Sequence, residues 1–205
     1  MREEIMKYQK SLRLSSNLMD IYPGINADTQ EEFLLKLLRE LHKDREEKRR
    51  LRNLKSAGFL VIKSLDGYDY SQIRFPDALN YYELESLSFL EKKENLILYG
   101  SVGTGETHLS VALGVKAINQ GKVHDLINQL ESNDEKKVAR VYKKIQGSDL
   151  LILDEWGYLP LHQEGARLLF DIVSNCYETK SIIITTNIEF SKWKGFLFDE
   201  KLTAA

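Results

Sequence analysis

The sequence predicts an α/β protein in which helices cover both faces of a parallel sheet, giving three layers, after an N-terminal α-helical region. Three observations support this fold class. A glycine-rich loop lies between a short apolar strand, Glu94–Tyr99, and a helix; a second apolar segment, Asp149–Leu153, ends in two carboxylates; and a third, Ser181–Thr186, ends in an amide. Continuous apolar strands are typical of parallel sheets, because both faces of such sheets are buried.

The elements before the first strand are predicted from helix signals. Residues 1–20 have the pattern of a short amphipathic helix, which the turn at Tyr22–Gly24 would close. A longer helix is predicted from about Thr29 to Ser56, with Asp28 or Thr29 as its N-cap. The expected domains are a helical region at residues 1–58, a connector at residues 59–93 and the α/β core at residues 94–205.

Helices are also predicted within the core. One follows the glycine-rich loop, where apolar residues recur at helical spacing as far as Gly121. The others are predicted over Val123–Glu131, Asp134–Gln146 and Gln163–Glu178. Strands and helices therefore alternate through the core, as the predicted fold class requires.

The glycine-rich loop has the spacing of a phosphate-binding loop, G-x-x-x-x-G-K-[ST], except that Glu106 occupies the lysine position. Glycines let successive backbone N–H groups converge on phosphate oxygens, and the following helix directs its positive N-terminus at the same anion. Thr107 stands where a hydroxyl would bind Mg²⁺. The candidate nucleotide-binding residues are Gly100, Ser101, Val102, Gly103, Thr104, Gly105, Glu106, Thr107 and His108.

A glutamate at the lysine position predicts weak nucleotide binding. Two unit charges about 4 Å apart interact by roughly 4 kcal/mol at an effective dielectric constant near 20, so changing attraction into repulsion could approach about 8 kcal/mol before screening. Micromolar affinity corresponds to only about 8 kcal/mol. We therefore expect tight ATP binding to be lost and hydrolysis to be inefficient, unless Mg²⁺, protonation or an outward-turned Glu106 reduces the repulsion.

The polar residues that follow the other two strands are candidate catalytic groups, because the carboxyl ends of parallel strands face the ligand crevice. Asp154 is predicted to bind Mg²⁺ together with Thr107. Glu155 is predicted to activate the attacking water, and Asn187 to position it. The alternatives are a core strand that ends in acids and an asparagine that only terminates a strand in a turn.

These motifs resemble those of IstB-type proteins, the ATP-binding helpers of insertion-sequence transposases, which are related to DnaC-type helicase loaders in the AAA+ class of P-loop NTPases. The most specific part of the similarity is the stretch Leu151–Leu161. Further segments that carry it are Leu12–Ser15, Leu54–Phe59, Leu65–Tyr70 and Asn187–Trp193. The resemblance implies a AAA+ core, ATP and Mg²⁺ as ligands, homo-oligomerisation on double-stranded DNA, and a transposase or replicative helicase as partner.

The chain differs from the family pattern in three places. Glu106 replaces the loop lysine. Family members place a further strand between the positions of Val123 and Asp125, where only His124 intervenes here. Family members also continue beyond Ala205 into a helix and a last strand with nucleotide-sensing arginines, so the resemblance implies a core that is truncated at its C-terminus.

Composition limits the classes of function. The net charge of −2 argues against a uniformly basic nucleic-acid binder, so any contact to DNA must be local. A single cysteine excludes an intrachain disulfide scaffold and a thiolate zinc site. The N-terminus is charged and no apolar run approaches about eighteen residues, so we expect a cytoplasmic protein that does not enter membranes.

A basic segment of the second predicted helix is the candidate DNA-binding surface. Its cations lie close to one stripe and could neutralise phosphates without reading the base sequence. They are Arg45, Lys48, Arg49, Arg52 and Lys55. The alternative is a solvated helix face with internal Glu–Lys pairs.

The predicted function is that of a AAA+ helper of transposition that binds DNA and a transposase, with weakened ATP binding and hydrolysis. Its status as an enzyme stays open, because the resemblance implies an ATPase while the loop lysine is replaced by Glu106. Two alternatives remain. A DnaC-like helicase loader would differ in its partner rather than in its site, and a non-enzymatic DNA-binding remnant would keep the fold without the nucleotide.

Overall fold

A computed structural model describes residues 1–77, 79–123, 126–128, 144–157, 163–193 and 195. The chain divides into two units, Met1–Arg52 and Asn53–Ala205. The first unit contains most of the predicted helical region, and the second contains the predicted connector and core. The predicted three-part division into domains stays a prediction.

Helices form the first unit. α1 spans Arg2–Ser11, α2 spans Leu18–Ile21 and continues into a 3-10 turn, and α3 spans Gln30–Ser56. The single helix predicted over residues 1–20 is therefore wrong. Arg13 has a φ of 51°, a left-handed conformation that a helix cannot contain, so the chain turns between α1 and α2.

The start of α3 confirms the predicted N-cap. The Thr29 hydroxyl accepts a hydrogen bond from the Glu32 N–H at 3.1 Å. The Glu32 carboxylate in turn accepts one from the Asp28 N–H at 2.9 Å. These two bonds satisfy backbone donors that have no partner inside the helix, which is why this threonine begins α3.

A parallel sheet organises the second unit. Among the described residues its strands are β1 (Leu96–Tyr99), β2 (Leu126–Asn128), β3 (Leu150–Leu153) and β4 (Ser181–Thr186), in the spatial order β1-β4-β3-β2. β3 and β4 are buried along their whole length, which explains their continuous apolar sequences. The three strands predicted from apolar runs are confirmed.

β2 corrects two expectations. The helix predicted over Val123–Glu131 is wrong, and the further strand that was expected to be missing is present at Leu126–Asn128, where it pairs with Leu150–Ile152 of β3. Backbone hydrogen bonds to β3 stabilise this three-residue edge strand, and a local sequence pattern does not record them. The helix predicted over Asp134–Gln146 lies mostly outside the described residues, which show helix at 144–147.

The sheet is the middle of three layers. α6 (Glu106–Asn119) packs on one face and α7 (Gln163–Cys176) on the other. Successive side chains of a strand point to opposite faces, so Leu150 and Ile152 join the core beneath α6 while Leu151 joins the core beneath α7. The predicted three-layer α/β fold is confirmed.

Two short helices lie in the stretch predicted as a connector, α4 at Tyr81–Ser86 and α5 at Ser88–Lys92. α4 begins with a capping box, in which the side chains of Asn80 and Glu83 each accept a hydrogen bond from the other's backbone N–H. Aromatic residues of this stretch, Tyr68 among them, pack against the core beneath α6. No helix within the described ranges is long and apolar enough to cross a membrane.

Candidate functional site

The glycine-rich loop runs from the end of β1 into the first turn of α6. Gly103 and Gly105 have φ angles of 89° and 102°, in the left-handed region that favours glycine. The Gly100 N–H donates to the Thr186 carbonyl at 3.2 Å, which attaches the loop to the end of β4. Strand, loop and helix N-terminus therefore occur in the arrangement that phosphate binding requires.

The Glu106 side chain folds back over this loop. Its Oε1 accepts a hydrogen bond from the Thr104 hydroxyl. The same oxygen lies so close to Gly100 that any side chain at that position would clash with it. One carboxylate thus contacts both the beginning and the end of the loop, and we name Gly100, Thr104 and Glu106 the loop clasp.

The loop clasp places a negative charge where an incoming phosphate would meet the loop. A phosphate must therefore displace the carboxylate as well as approach its charge. The Glu106 carboxylate also affects Tyr68. Burial raises the pKa of the Tyr68 hydroxyl, and the negative charges of Glu106 and Asp69 raise that pKa further. Glu106 is thus turned inward across the loop, and the outward-turned arrangement that would relieve the repulsion is absent from the described structure.

Thr107 and Asp154 meet beside the loop. The Thr107 hydroxyl, in the first turn of α6, donates to Asp154 Oδ1 at 2.8 Å. Asp154 directly follows β3, so the fold brings together two groups that are 47 residues apart in the chain. In the part of the chain that the structure describes, no group of three or more His, Cys, Asp or Glu residues could hold a metal ion by itself.

The acidic turn after β3 is bound to β4. The Thr185 hydroxyl donates to Asp154 Oδ1 at 2.5 Å and accepts from the Glu155 N–H at 2.9 Å. The Trp156 N–H donates to the Thr185 carbonyl at 2.8 Å. Sequence reasoning missed Thr185, because its position inside an apolar strand is typical of a core residue.

Glu155 and Asn187 both lie exposed at the same edge of the sheet. Glu155 follows Asp154, and Asn187 follows β4, which lies between β1 and β3. Strand ends in a parallel sheet point to one edge, so both side chains lie on the side of the phosphate loop. Their roles in activating and positioning water stay predictions.

His108 and the connector make contacts that sequence reasoning also missed. His108 Nε2 lies 2.8 Å from the Ser64 carbonyl, and its ring centroid lies 5.4 Å from that of Tyr68. The Tyr68 hydroxyl donates to the Gly105 carbonyl at 3.4 Å. The connector therefore lies against the end of the phosphate loop. Tyr68 lies within Leu65–Tyr70, one of the segments that resemble the family, and this was a signal in the sequence that the segment has a role.

The basic residues of α3 differ in how far they are engaged. Lys48 is paired with Asp44 at 2.9 Å and also donates to the Ser16 hydroxyl. Arg49 lies 3.5 Å from Glu46, and Arg45 donates to the Arg13 carbonyl at 3.1 Å. The fourth and fifth predicted members, Arg52 and Lys55, are exposed. The predicted DNA-binding role of all five stays a prediction.

Asp44 connects α3 to the segment before α2 and gives a pH-dependent prediction. Hydrogen bonds from Ser15 and Lys48 lower the pKa of its carboxyl below the ordinary value of 3.8. Because the folded pKa is the lower one, this stabilisation is complete above the unfolded pKa and is lost as pH falls through the folded pKa. We expect Asp44→Asn to lower the melting temperature at about pH 6 and to have no effect near about pH 2. Thermal melts of both proteins across this range measure it, and a difference that persists at low pH contradicts it.

Comparison with known proteins agrees with this geometry. A family model described as IstB-like ATP binding protein matches residues 25–205. The chain is 31% identical over 220 residues to the insertion sequence IS5376 putative ATP-binding protein of Geobacillus stearothermophilus, covering 100% of this chain and 86% of that protein. It is 35% identical over 181 residues to the insertion sequence IS21 putative ATP-binding protein of Pseudomonas aeruginosa, covering 85% and 68%.

Solved structures agree at the level of the fold. A crystal structure of DnaI has a TM-score of 0.50 and 18% sequence identity, and the similarity covers 69% of this chain and 81% of that one. At this identity the similarity supports the predicted three-layer α/β fold and nothing finer. Together with the match of the family model over residues 25–205, the strand–loop–helix site shows that the chain belongs to the family of IstB-like ATP-binding proteins.

Proposed function

We propose that this chain is a DNA-binding helper of transposition whose nucleotide site is weakened by its own glutamate. The observation that carries the nucleotide part is the 2.8 Å contact of Thr107 with Asp154, beside a glycine loop that leads into a helix N-terminus. The relatives support it, since they are named as putative ATP-binding proteins of insertion sequences.

The residues fit Mg²⁺ better than they fit a triphosphate. Thr107 and Asp154 offer hydroxyl and carboxylate oxygens, which are the protein ligands that Mg²⁺ prefers. The loop clasp opposes the phosphates that would bring the ion. When bound, Mg²⁺ supplies charge neutralisation at the phosphate oxygens.

Glu155 and Asn187 would act on the water molecule that attacks the nucleotide. Glu155 would accept a proton from a water molecule, and Asn187 would hold that water by a hydrogen bond. Both side chains are exposed at the loop side of the sheet, which allows such contacts. ATP turnover in the presence of Mg²⁺, compared between the native chain and Glu155→Gln, measures this part.

DNA binding is proposed for the basic stripe of α3. Arg45, Lys48, Arg49 and Arg52 lie at helical spacings of three and four residues, so they share one face of α3. Lys55 continues the series beyond the boundary of the first unit. Double-stranded DNA is the proposed ligand, because such a stripe can neutralise its closely spaced phosphates.

A transposase is the proposed partner, and assembly of several copies on DNA is the proposed state. The helicase-loader alternative predicts a replicative helicase instead. Co-purification of the tagged chain with each candidate, in the presence of DNA, distinguishes the two. Retention of the transposase alone supports the proposal, and retention of the helicase alone contradicts it.

A second candidate function is DNA binding without any nucleotide. The loop clasp favours it, because the Glu106 carboxylate lies against Gly100 and Thr104, where a phosphate would have to bind. Titration of the native chain with ATP at millimolar Mg²⁺ separates the candidates. Saturable binding that DNA strengthens supports the first candidate. Unchanged DNA binding with no detectable ATP binding supports the second.

A further inference from the structure

Thr185 lies at the centre of the acidic turn although it belongs to a different strand. Its side chain is buried, with 2% of its surface exposed. Its hydroxyl contacts Asp154 and the Glu155 N–H, and its carbonyl accepts the Trp156 N–H. One residue of β4 therefore bonds to three consecutive residues that follow β3.

The direction of these hydrogen bonds is determined by chemistry. The Glu155 N–H can only donate, so the Thr185 oxygen accepts from it and has its single proton available for Asp154. Asp154 Oδ1 accepts a second hydrogen bond from Thr107. Two hydroxyls on one oxygen oppose rotation of the carboxylate and hold it toward α6.

The backbone of the turn needs the same support. Glu155 has a φ of 56°, in a left-handed region that residues other than glycine seldom adopt. Thr185 accepts hydrogen bonds from the N–H groups on both sides of the Glu155 Cα, those of Glu155 and Trp156. In this conformation the Glu155 side chain is exposed.

We propose that Thr185 is a positioning residue of the nucleotide site: its hydroxyl orients Asp154 for the metal ion and holds the Glu155 backbone. This inference rests on the proposed nucleotide binding. A valine has nearly the same shape as threonine without the hydroxyl, so Thr185→Val removes the two hydrogen bonds and leaves the packing of β4 in place. Thr185→Ser restores the hydroxyl.

The first test measures ATP affinity with Mg²⁺ and with EDTA, in a chain that also carries Glu106→Lys so that binding is measurable. Thr185→Val is expected to reduce the gain in affinity that Mg²⁺ brings by about tenfold, the effect of losing a hydrogen bond to a charged group. The affinity in EDTA should change by less than about twofold, because Thr185 is proposed to act through the metal ion. A purely structural defect would instead lower the affinity under both conditions. Thr185→Ser should recover most of the Mg²⁺ effect.

Thr186 provides a matched control. It is the next residue of β4, is buried, and donates its hydroxyl to the Trp156 carbonyl at 2.8 Å instead of to Asp154. Thr186→Val should therefore leave the Mg²⁺ effect unchanged. Equal losses in Thr185→Val and Thr186→Val, or no loss in either, overturn the proposal.

The second test needs no nucleotide and uses the chain with its native Glu106. Amide hydrogen exchange is expected to become roughly tenfold faster at Glu155 in Thr185→Val, since its acceptor is the lost hydroxyl. The Trp156 amide, which bonds to the Thr185 backbone carbonyl, should keep its rate. Unchanged exchange at Glu155 overturns the inference about Thr185. Failure of the Glu106→Lys chain to bind ATP would instead count against the proposed function.

Discussion

Glu106→Lys is expected to strengthen ATP–Mg²⁺ binding by about a thousandfold, from millimolar or weaker to micromolar. The change removes the repulsion of the carboxylate and adds the attraction of an ammonium. If about half of the roughly 8 kcal/mol swing survives screening, the remaining 4 kcal/mol corresponds to three orders of magnitude. The replacement also opens the loop clasp, since lysine cannot accept the hydrogen bond from Thr104. Titration calorimetry at millimolar Mg²⁺ measures the affinity.

Two control variants separate the effect of the Glu106 charge from the effect of its hydrogen bond across the loop. Glu106→Gln removes the charge but keeps an oxygen that can accept from Thr104, while Glu106→Ala removes both. We expect affinity to rise in the order native, Gln, Ala, Lys. Equal affinities of the Gln and Ala variants would show that the loop clasp adds nothing to the charge. Submicromolar ATP binding by the native chain would contradict the whole account.

Reversal of two charges on α3, Arg49→Glu with Arg52→Glu, is expected to weaken binding to double-stranded DNA by at least about tenfold at low salt. It should also reduce the slope of log affinity against log salt by about two, since each phosphate contact contributes roughly 0.9. The stripe neutralises phosphates in a sequence-independent manner, so unrelated duplexes should lose affinity alike. Fluorescence anisotropy at several salt concentrations measures both quantities.

The same helix supplies a control with an equal change in charge. Lys43 and Arg50 lie on the opposite face of α3 from the stripe, at about 100° per residue along the helix. Lys43→Glu with Arg50→Glu should therefore retain the salt slope and most of the affinity. If both double variants lose binding equally, the net charge of the chain drives association and the stripe is only a solvated helix face.

The local pattern was sufficient for the elements that bury a continuous apolar run. β1, β3 and β4 were predicted because a parallel strand covered on both faces must be apolar throughout. The N-cap of α3 was predicted as Asp28 or Thr29 because both residue types favour that position, and the structure selects Thr29. The spacing of the glycine-rich loop placed it correctly between strand and helix.

Elements whose stability comes from distant partners were missed. β2 has three residues, and only its pairing with β3 distinguishes it from the helix predicted there. The break after α1 depends on one left-handed residue, Arg13, which carries no glycine signal. From the sequence, Thr185 is indistinguishable from a core strand residue. Its contact with Asp154 exists only because β3 pairs with β4 in the sheet. In each case the deciding contact joins residues that the sequence does not show as neighbours.

Two properties of the protein were determined by the sequence alone: the phosphate-loop architecture, through glycine spacing and apolar strands, and the inverted charge at Glu106, through the identity of one residue. The tertiary structure decided where that charge goes and what surrounds the acidic pair. The covalent structure of a side chain determines whether it can carry a charge, so the sequence is enough to identify that charge. The partner that it finds depends on chain segments that only folding brings within hydrogen-bonding distance.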